Sequence, residues 1–282
     1  MKALLISLLT ILMMPMAWAA APQAPAGYLV SIKLAGEDAV VKTVVVRDGT
    51  ELAGKLMMPL FEGDVVFVRD PASAVGIELG DGTTMTLGQG VARFEMKGEI
   101  DTGDGTWGIL SAIGGVFADE DQQAPENMAA KGASLKMPMA VRGTNLLSRD
   151  RKSLWLTWEG GKAPFAVSLE TASGETPLLA DVSSNSAAVP IETVKAEKFT
   201  LIIRDAEQQK LPLRFRLAAQ LPAGLPVTGS SQASLLAAAA WLSGHKGWSI
   251  EAAQVLQAAG TDAALALRDK IAGGWTYQAS AP

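Results

Sequence analysis

The sequence predicts a mainly β protein: a small β module, then an immunoglobulin- or fibronectin-like β-sandwich, then a short C-terminal α-helical segment. Three observations carry this. Apolar and polar residues alternate over short runs such as YLVSIKL (28–34) and LPLRFRL (211–217), the period of a half-buried strand. Asp-Gly and Gly-Gly turns separate those runs at short, regular intervals. From residue 230 onward the pattern becomes Ala/Leu runs bounded by Ser, Thr and Gly, the grammar of capped helices.

The opening residues predict the compartment. Lys2 gives a short basic start, residues 4–14 an apolar stretch short for a membrane span, and Ala17-Trp18-Ala19 the small residues of a cleavage site. We read 1–19 as a signal peptide, with an uncleaved anchor as the alternative, and the chain as periplasmic. There is no cysteine, so disulfides, thiolate metal sites and a cysteine nucleophile are excluded. The net charge is −5 without a basic run, which speaks against nucleic acid as a partner. No later run has the apolar length of a transmembrane helix.

After a Pro/Ala linker at 20–27, strands are expected at 28–34, around 43–53 and at 64–68, the last launched by Gly63-Asp64. The stretch VGIELGDGTTMTLGQG (75–90) reads as a hairpin. A three-residue loop, Gly80-Asp81-Gly82, pairs Leu79 with Thr83, Ile77 with Met85 and Val75 with Leu87, gathering most apolar side chains on one face. Gly82 then takes the left-handed position of the turn. Glu78, Thr84 and Thr86 fall on the opposite face, expected to be exposed. The same rule at Asp48-Gly49 pairs Val46 with Thr50 and Val44 with Leu52. Ala92, Phe94 and Met96 form a further inward row.

PLFEGDVVFV followed by AVGIELGDGTTMTLGQGVARFEM resembles the FecR-like domain, a small β module of bacterial envelopes. Its hallmark is Gly-Asp before a strand, then an Asp-Gly-Ser/Thr hairpin ending in Leu-Gly/Pro. The matching positions are Gly63, Asp64, Asp81, Gly82, Thr83 and Leu87, and the resemblance covers residues 28–98. In its best-known members the domain is the periplasmic part of a transmembrane sigma-factor regulator that receives a signal from an outer-membrane transporter. The cytoplasmic sigma-binding segment and the central membrane helix have no counterpart here. The resemblance therefore implies a β module that binds another cell-envelope protein.

Residues 99–136 read as a Gly-, Ala- and acid-rich connector with a short strand or helix at 107–116. The sandwich is expected at 137–218, with strands at 137–141, 153–158, 165–170, a weaker pair at 176–180 and 187–191, then 199–204 and 211–217. After a linker at 219–229, the helical segment at 230–275 is capped by Ser230 or Ser231, Ser249 and Thr261 and stopped by Gly260 and Gly273. Ala253, Leu256, Leu265 and Ile271 form its apolar stripe, packing helix on helix or on the sandwich.

Catalytic patterns are sparse. Asp101-Thr102-Gly103 is the aspartic-protease tripeptide, but no second copy exists and a turn explains it. Asp101 and Asp104 supply hard oxygens for calcium without EF-hand spacing, and Asp119-Glu120-Asp121 reads as a solvated linker. His245, the sole histidine, sits in an apparent loop with no nucleophile elbow elsewhere. Trp155 and Trp158 face opposite sides of one strand, so one belongs to the core and the other is available to a ligand. Trp241, Trp248 and Trp275 are expected to fill the seam between helices and sandwich.

These readings point to a non-enzymatic periplasmic binding or scaffold protein with no cofactor and no metal. Its partner is expected to be a cell-envelope protein taken up at the hairpin around Glu78, Asp81, Thr84 and Thr86 by strand addition. The alternative is a glycan or peptidoglycan binder using an exposed Trp158.

Overall fold

A computed structural model describes residues 24–33, 43–70, 72–88, 93–98, 103–118, 134–171, 174–194, 196–225 and 231–278, with side chains of 108–117 in the segment 103–118. The expected signal peptide, Ala92, Asp101, Thr102, the side chain of Asp104 and the acidic run at 119–121 lie outside the described residues. The protein is mainly β, with four helices among the described residues.

The first unit holds β1 (Gly27–Lys33), β2 (Thr43–Arg47), β3 (Thr50–Ala53), β4 (Pro59–Leu60), β5 (Val65–Val68), β6 (Ala74–Leu79), β7 (Thr84–Leu87) and β8 (Arg93–Glu95). They form two sheets, β4-β1-β6-β7 and β3-β2-β5-β8. Leu29, Val45, Val66, Ile77, Leu87 and Met96 share a buried core. The Gly63-Asp64 bend has a structural reason. Gly63 takes φ 86°, and Asp64, buried, accepts Arg47 Nη2 at 2.7 Å and the Phe61 N–H at 2.9 Å.

The β6–β7 hairpin has the expected register: Val75 faces Leu87, Ile77 faces Met85, and Leu79 N–H donates to Thr83 O at 2.8 Å. Gly82 sits at φ 80°. The other hairpin departs from expectation. Arg47 pairs with Thr50 and Val45 with Leu52, closing a two-residue loop. Asp48 and Gly49 both take positive φ, 49° and 77°, the mirror-image turn whose twist matches the flanking strands. This register sets Leu52 beside the fully buried Val45 and packs it on the same core.

The stretch left between strand and helix is a helix, α1 (Gly103–Ala118). Ile109, Leu110, Ile113 and Phe117 are buried, so this part of the expected connector belongs to the core.

The second unit is a sandwich of β9 (Thr144–Ser148), β10 (Ser153–Thr157), β11 (Phe165–Thr171), β12 (Gly174–Val182), β13 (Ser186–Pro190), β14 (Lys198–Arg204) and β15 (Lys210–Ala218). One sheet runs β12-β11-β14-β15-β9 and the other pairs β10 with β13. With β10 and β13 as B and E, and β11, β14 and β15 as C, F and G, this is an immunoglobulin-like strand order. Leu154, Leu156, Val167, Leu201, Leu213 and Phe215 fill the space between the sheets. The strand expected at 137–141 is instead a turn, closed by Ala140 N–H to Met137 O at 3.0 Å, where Pro138 offers no N–H to a ladder. The edge strand is β9, running parallel to β15. Its buried Asn145 accepts Val141 N–H at 3.0 Å and donates to Arg214 O at 3.1 Å.

The last three helices are α2 (Gln232–Ser243), α3 (Ser249–Ala259) and α4 (Asp262–Ala272). Ser231 and Thr261 cap α2 and α4 as expected, and Gly260 ends α3 at φ 65°. Ser249 does not cap: Trp248 holds that position, and the Ser249 hydroxyl donates to Ser243 O at 3.3 Å. These helices pack into the core. Their small buried faces, including Ala237, Ala240, Ala253 and Ala264, let α1, β1, β9 and β10 pack closely around them. A single apolar core then runs from Tyr28, Val30 and Met57 through the helices into the sandwich. Among the described residues, no helix is long and apolar enough to cross a membrane.

Candidate functional site

The expected binding residues of the hairpin divide into two groups. Asp81, Thr84 and Thr86 are exposed, and β7 is the outer strand of its sheet. Asp81 accepts the backbone N–H and hydroxyl of Thr83 at 2.8 and 2.6 Å, and these bonds hold its carboxyl below the usual carboxylate range. Glu78, expected on the same open face, is only 2% exposed. Its carboxylate sits at the start of α2 and accepts Ala233 N–H at 3.0 and 3.1 Å. The first N–H groups of a helix lack internal partners, and a carboxylate answers both their hydrogen-bonding need and the helix dipole. The helix has covered the half of the face that belongs to β6 and left β7 open. Burial pushes the Glu78 carboxyl up, and donors from Ala233, Ser231 and Gln232 oppose this only in part. Tyr28, opposite Glu78 on β1, is buried too, and its hydroxyl is raised by burial and then by the Glu78 charge.

Trp158 is also corrected. It continues the inward row Leu154, Leu156 and is 2% exposed, with its ring edge-on to Phe165 at 5.2 Å. An exposed Trp158 platform is therefore ruled out. The outward partner is Trp155.

A groove of about 950 Å³ opens where β10 meets α4. Trp155, Thr157, Trp158 and Glu159 line one wall. Asp269, Lys270 and Trp275 line the other, with Pro138 beside them. Strand alternation aims Trp155 and Thr157 away from the sandwich core. Past α4 the chain folds back: Gly274 N–H donates to Ile271 O at 2.9 Å and Trp275 N–H to Lys270 O at 3.0 Å. Gly274 takes φ 100°, and a Cβ there would lie 3.4 Å from Pro138. This reversal returns Trp275 to the groove. Trp248, by contrast, is buried in the seam as expected, and Trp241 meets His245 at a tilt of 41°, with ring centres 3.8 Å apart.

The groove wall is held from behind. Gln254 of α3 accepts Trp155 N–H at 2.7 Å and donates to Trp155 O at 2.8 Å, supplying the free edge of β10 with the pair of bonds a further strand would make. The Arg268 guanidinium lies 4.3 Å from the Trp155 ring centre, a cation–π contact. Glu159 pairs with Lys136 at 2.8 Å and Asp269 with Arg268 at 2.5 Å. The Trp158 indole N–H is buried with no hydrogen-bond partner among the described residues. A buried donor left unpaired is costly, and this one, closed to solvent, is a cost the fold carries rather than a contact offered to a ligand.

Among the described residues, no three His, Asp or Glu side chains converge as a metal site. His245 Nδ1 lies 2.9 Å from Trp241 O in the α2–α3 loop, a structural contact. Sequence reasoning missed Gln254, Arg268 and the wall of α4; only the Trp155/Trp158 alternation signalled that β10 would present an aromatic. No family model matches the chain, and no curated protein matches it.

Proposed function

We propose that this protein is a non-enzymatic binding and scaffold protein of the bacterial cell envelope, exported by its first residues and carrying a FecR-like module, and that its ligand lies in the groove between β10 and α4. The observation that carries this is the lining. Trp155 and Trp275 offer apolar faces, and Thr157, Glu159 and Asp269 bring hydroxyl and carboxylate oxygens. That mixture suits a glycan, whose ring faces stack on indoles while its hydroxyls donate to carboxylates. Glu159 and Asp269 are each paired with a cation, which favours holding a ligand over proton transfer.

The test is retention on isolated peptidoglycan. Wild type is expected to be held and Trp275→Ala released, with affinity down at least about tenfold, the usual scale for a tryptophan anchor. Equal retention of the two would sink the groove reading. A second reading rests on β7, whose outer edge has no partner strand among the described residues and which carries exposed Thr84 and Thr86: an envelope protein adds a strand there. Crosslinking in cells through position 86 would capture one dominant protein under that reading and none under the first.

A further inference from the structure

The outer face of the five-stranded sheet carries two like-charge pairs across β14 and β15. Arg204 stands opposite Lys210, and Lys198 opposite Arg216. Like charges directly opposed on an antiparallel pair are destabilising. At the first pair the repulsion is cancelled. Glu175 of β12 accepts Arg204 at 2.8 Å and Lys210 at 3.0 Å, and its carboxyl is held down to about 2 by Arg204, Lys210 and Ser168. At the second pair nothing cancels it. Lys198 and Arg216 are exposed, Arg214 two residues along β15 is exposed too, and none of the three has an anionic partner among the described residues. Glu170, one strand over and opposite Thr200, forms no ion pair with them.

We propose that Lys198, Arg214 and Arg216 form a docking surface for an anionic lipid bilayer. The chain is acidic overall, so three uncompensated cations within one sheet face stand against its general charge. Strand geometry spaces them about 5 Å across and about 7 Å along the sheet. Thr200 and Pro212 lie between and beside them on the same face. The one large exposed hydrophobic side chain among the described residues is Leu221, outside these strands, so the patch lacks the apolar anchor on which protein interfaces depend. A flat cationic patch without an anchor fits laterally mobile phosphates, which rearrange to meet it.

The probe is flotation of the full chain with vesicles of neutral phosphatidylcholine, and with vesicles containing phosphatidylglycerol. The apolar N-terminal stretch contributes equally to every variant, so the readout is the gain on adding the anionic lipid. Wild type is expected to gain at low salt and to lose the gain at high salt. The triple variant Lys198→Ser, Arg214→Ser, Arg216→Ser is expected to lose that gain by on the order of a hundredfold in partitioning. Lys210→Ser, at the compensated pair, is expected to keep it. The triple variant should melt no lower than wild type, since it removes an uncompensated repulsion. The same anionic gain in wild type and triple variant, or no gain in either, overturns the proposal. So does binding to polyglutamate without binding to anionic vesicles, which would assign the patch to an acidic polypeptide.

Discussion

The helical layer meets the two β units through seams of different chemistry. At the first unit, α2 rests on Glu78, a buried carboxylate answered by backbone N–H groups and, among the described residues, by no cation. At the sandwich, α3 presents Glu251 and Gln254. Glu251, with a side chain 3% exposed, accepts Arg151 Nη2 at 2.7 Å and Ser148 N–H at 3.1 Å, while Gln254 takes both polar groups of Trp155. The difference teaches that a helix end and a helix flank need different acceptors. An N-terminus has donors and a dipole of its own, so an anion alone satisfies it. A flank has spent its backbone bonds, so it must supply side chains that complete the strand beside it. The first seam answers to pH and the second to geometry.

The sharpest way to break the sandwich seam is Gln254→Leu. It keeps the bulk but strands the N–H and C=O of Trp155, and unfolding by denaturant should show a loss of about 2–4 kcal/mol. A loss near zero would mean that water replaces Gln254 and that the wall is not built as described. Glu251→Gln comes next, at about 1–3 kcal/mol, because Arg151 keeps a side-chain exposure of 23% and can turn to solvent. If it equalled Gln254→Leu, charge rather than edge completion would dominate the seam.

Glu78→Gln tests the other seam and should change stability at neutral pH by no more than about 1 kcal/mol, since an amide oxygen still accepts from Ala233. Its signature is the pH profile. Burial raises the folded carboxyl above its ordinary value of 4.5, so the folded state prefers the proton. The stabilisation from that proton is complete below the unfolded value and is lost as pH rises through the folded one. Wild type should therefore lose stability over that rise, relative to Glu78→Gln, and parallel profiles would show that Glu78 is not desolvated. Smallest of all is Asp81→Asn. The amide oxygen can accept the same Thr83 bonds, and no shift in melting temperature is expected; a drop of several degrees would make the hairpin tip a structural contact.

Much of the fold could be read in residue order, and the limits have physical causes. Val75, Ile77, Met85 and Leu87 fixed the β6–β7 register because any slip moves the whole apolar row to the wrong face. At Asp48-Gly49 both loop lengths satisfied the pattern, and the choice lay in the φ of Asp48, which composition does not reveal. Glu78 occupies a polar beat in an alternating strand and reads as exposed; its cover arrives 155 residues later. The alternation of Trp155 and Trp158 announced one inward and one outward ring but left open which was which. The missing information was the parity of Leu154 and Leu156 in the core. Gln254 gave no local signal, since its role exists only against a strand 99 residues away.

That late arrival has a temporal meaning. The helical layer leaves the ribosome after both β units, and both wait for it. At roughly 5–20 residues per second, Glu78 spends roughly 8–30 s without the helix that will cover it. Through that interval Tyr28 and Val30 are open to chaperones and to any machinery that needs a chain kept loose, and so is the bare edge of β10 once it has been made. Closure comes when residues 231–272 arrive, in one event that locks two units at once. A chain cut short before that point carries two unfinished surfaces rather than one, and is correspondingly easy for a protease to tell from the finished protein.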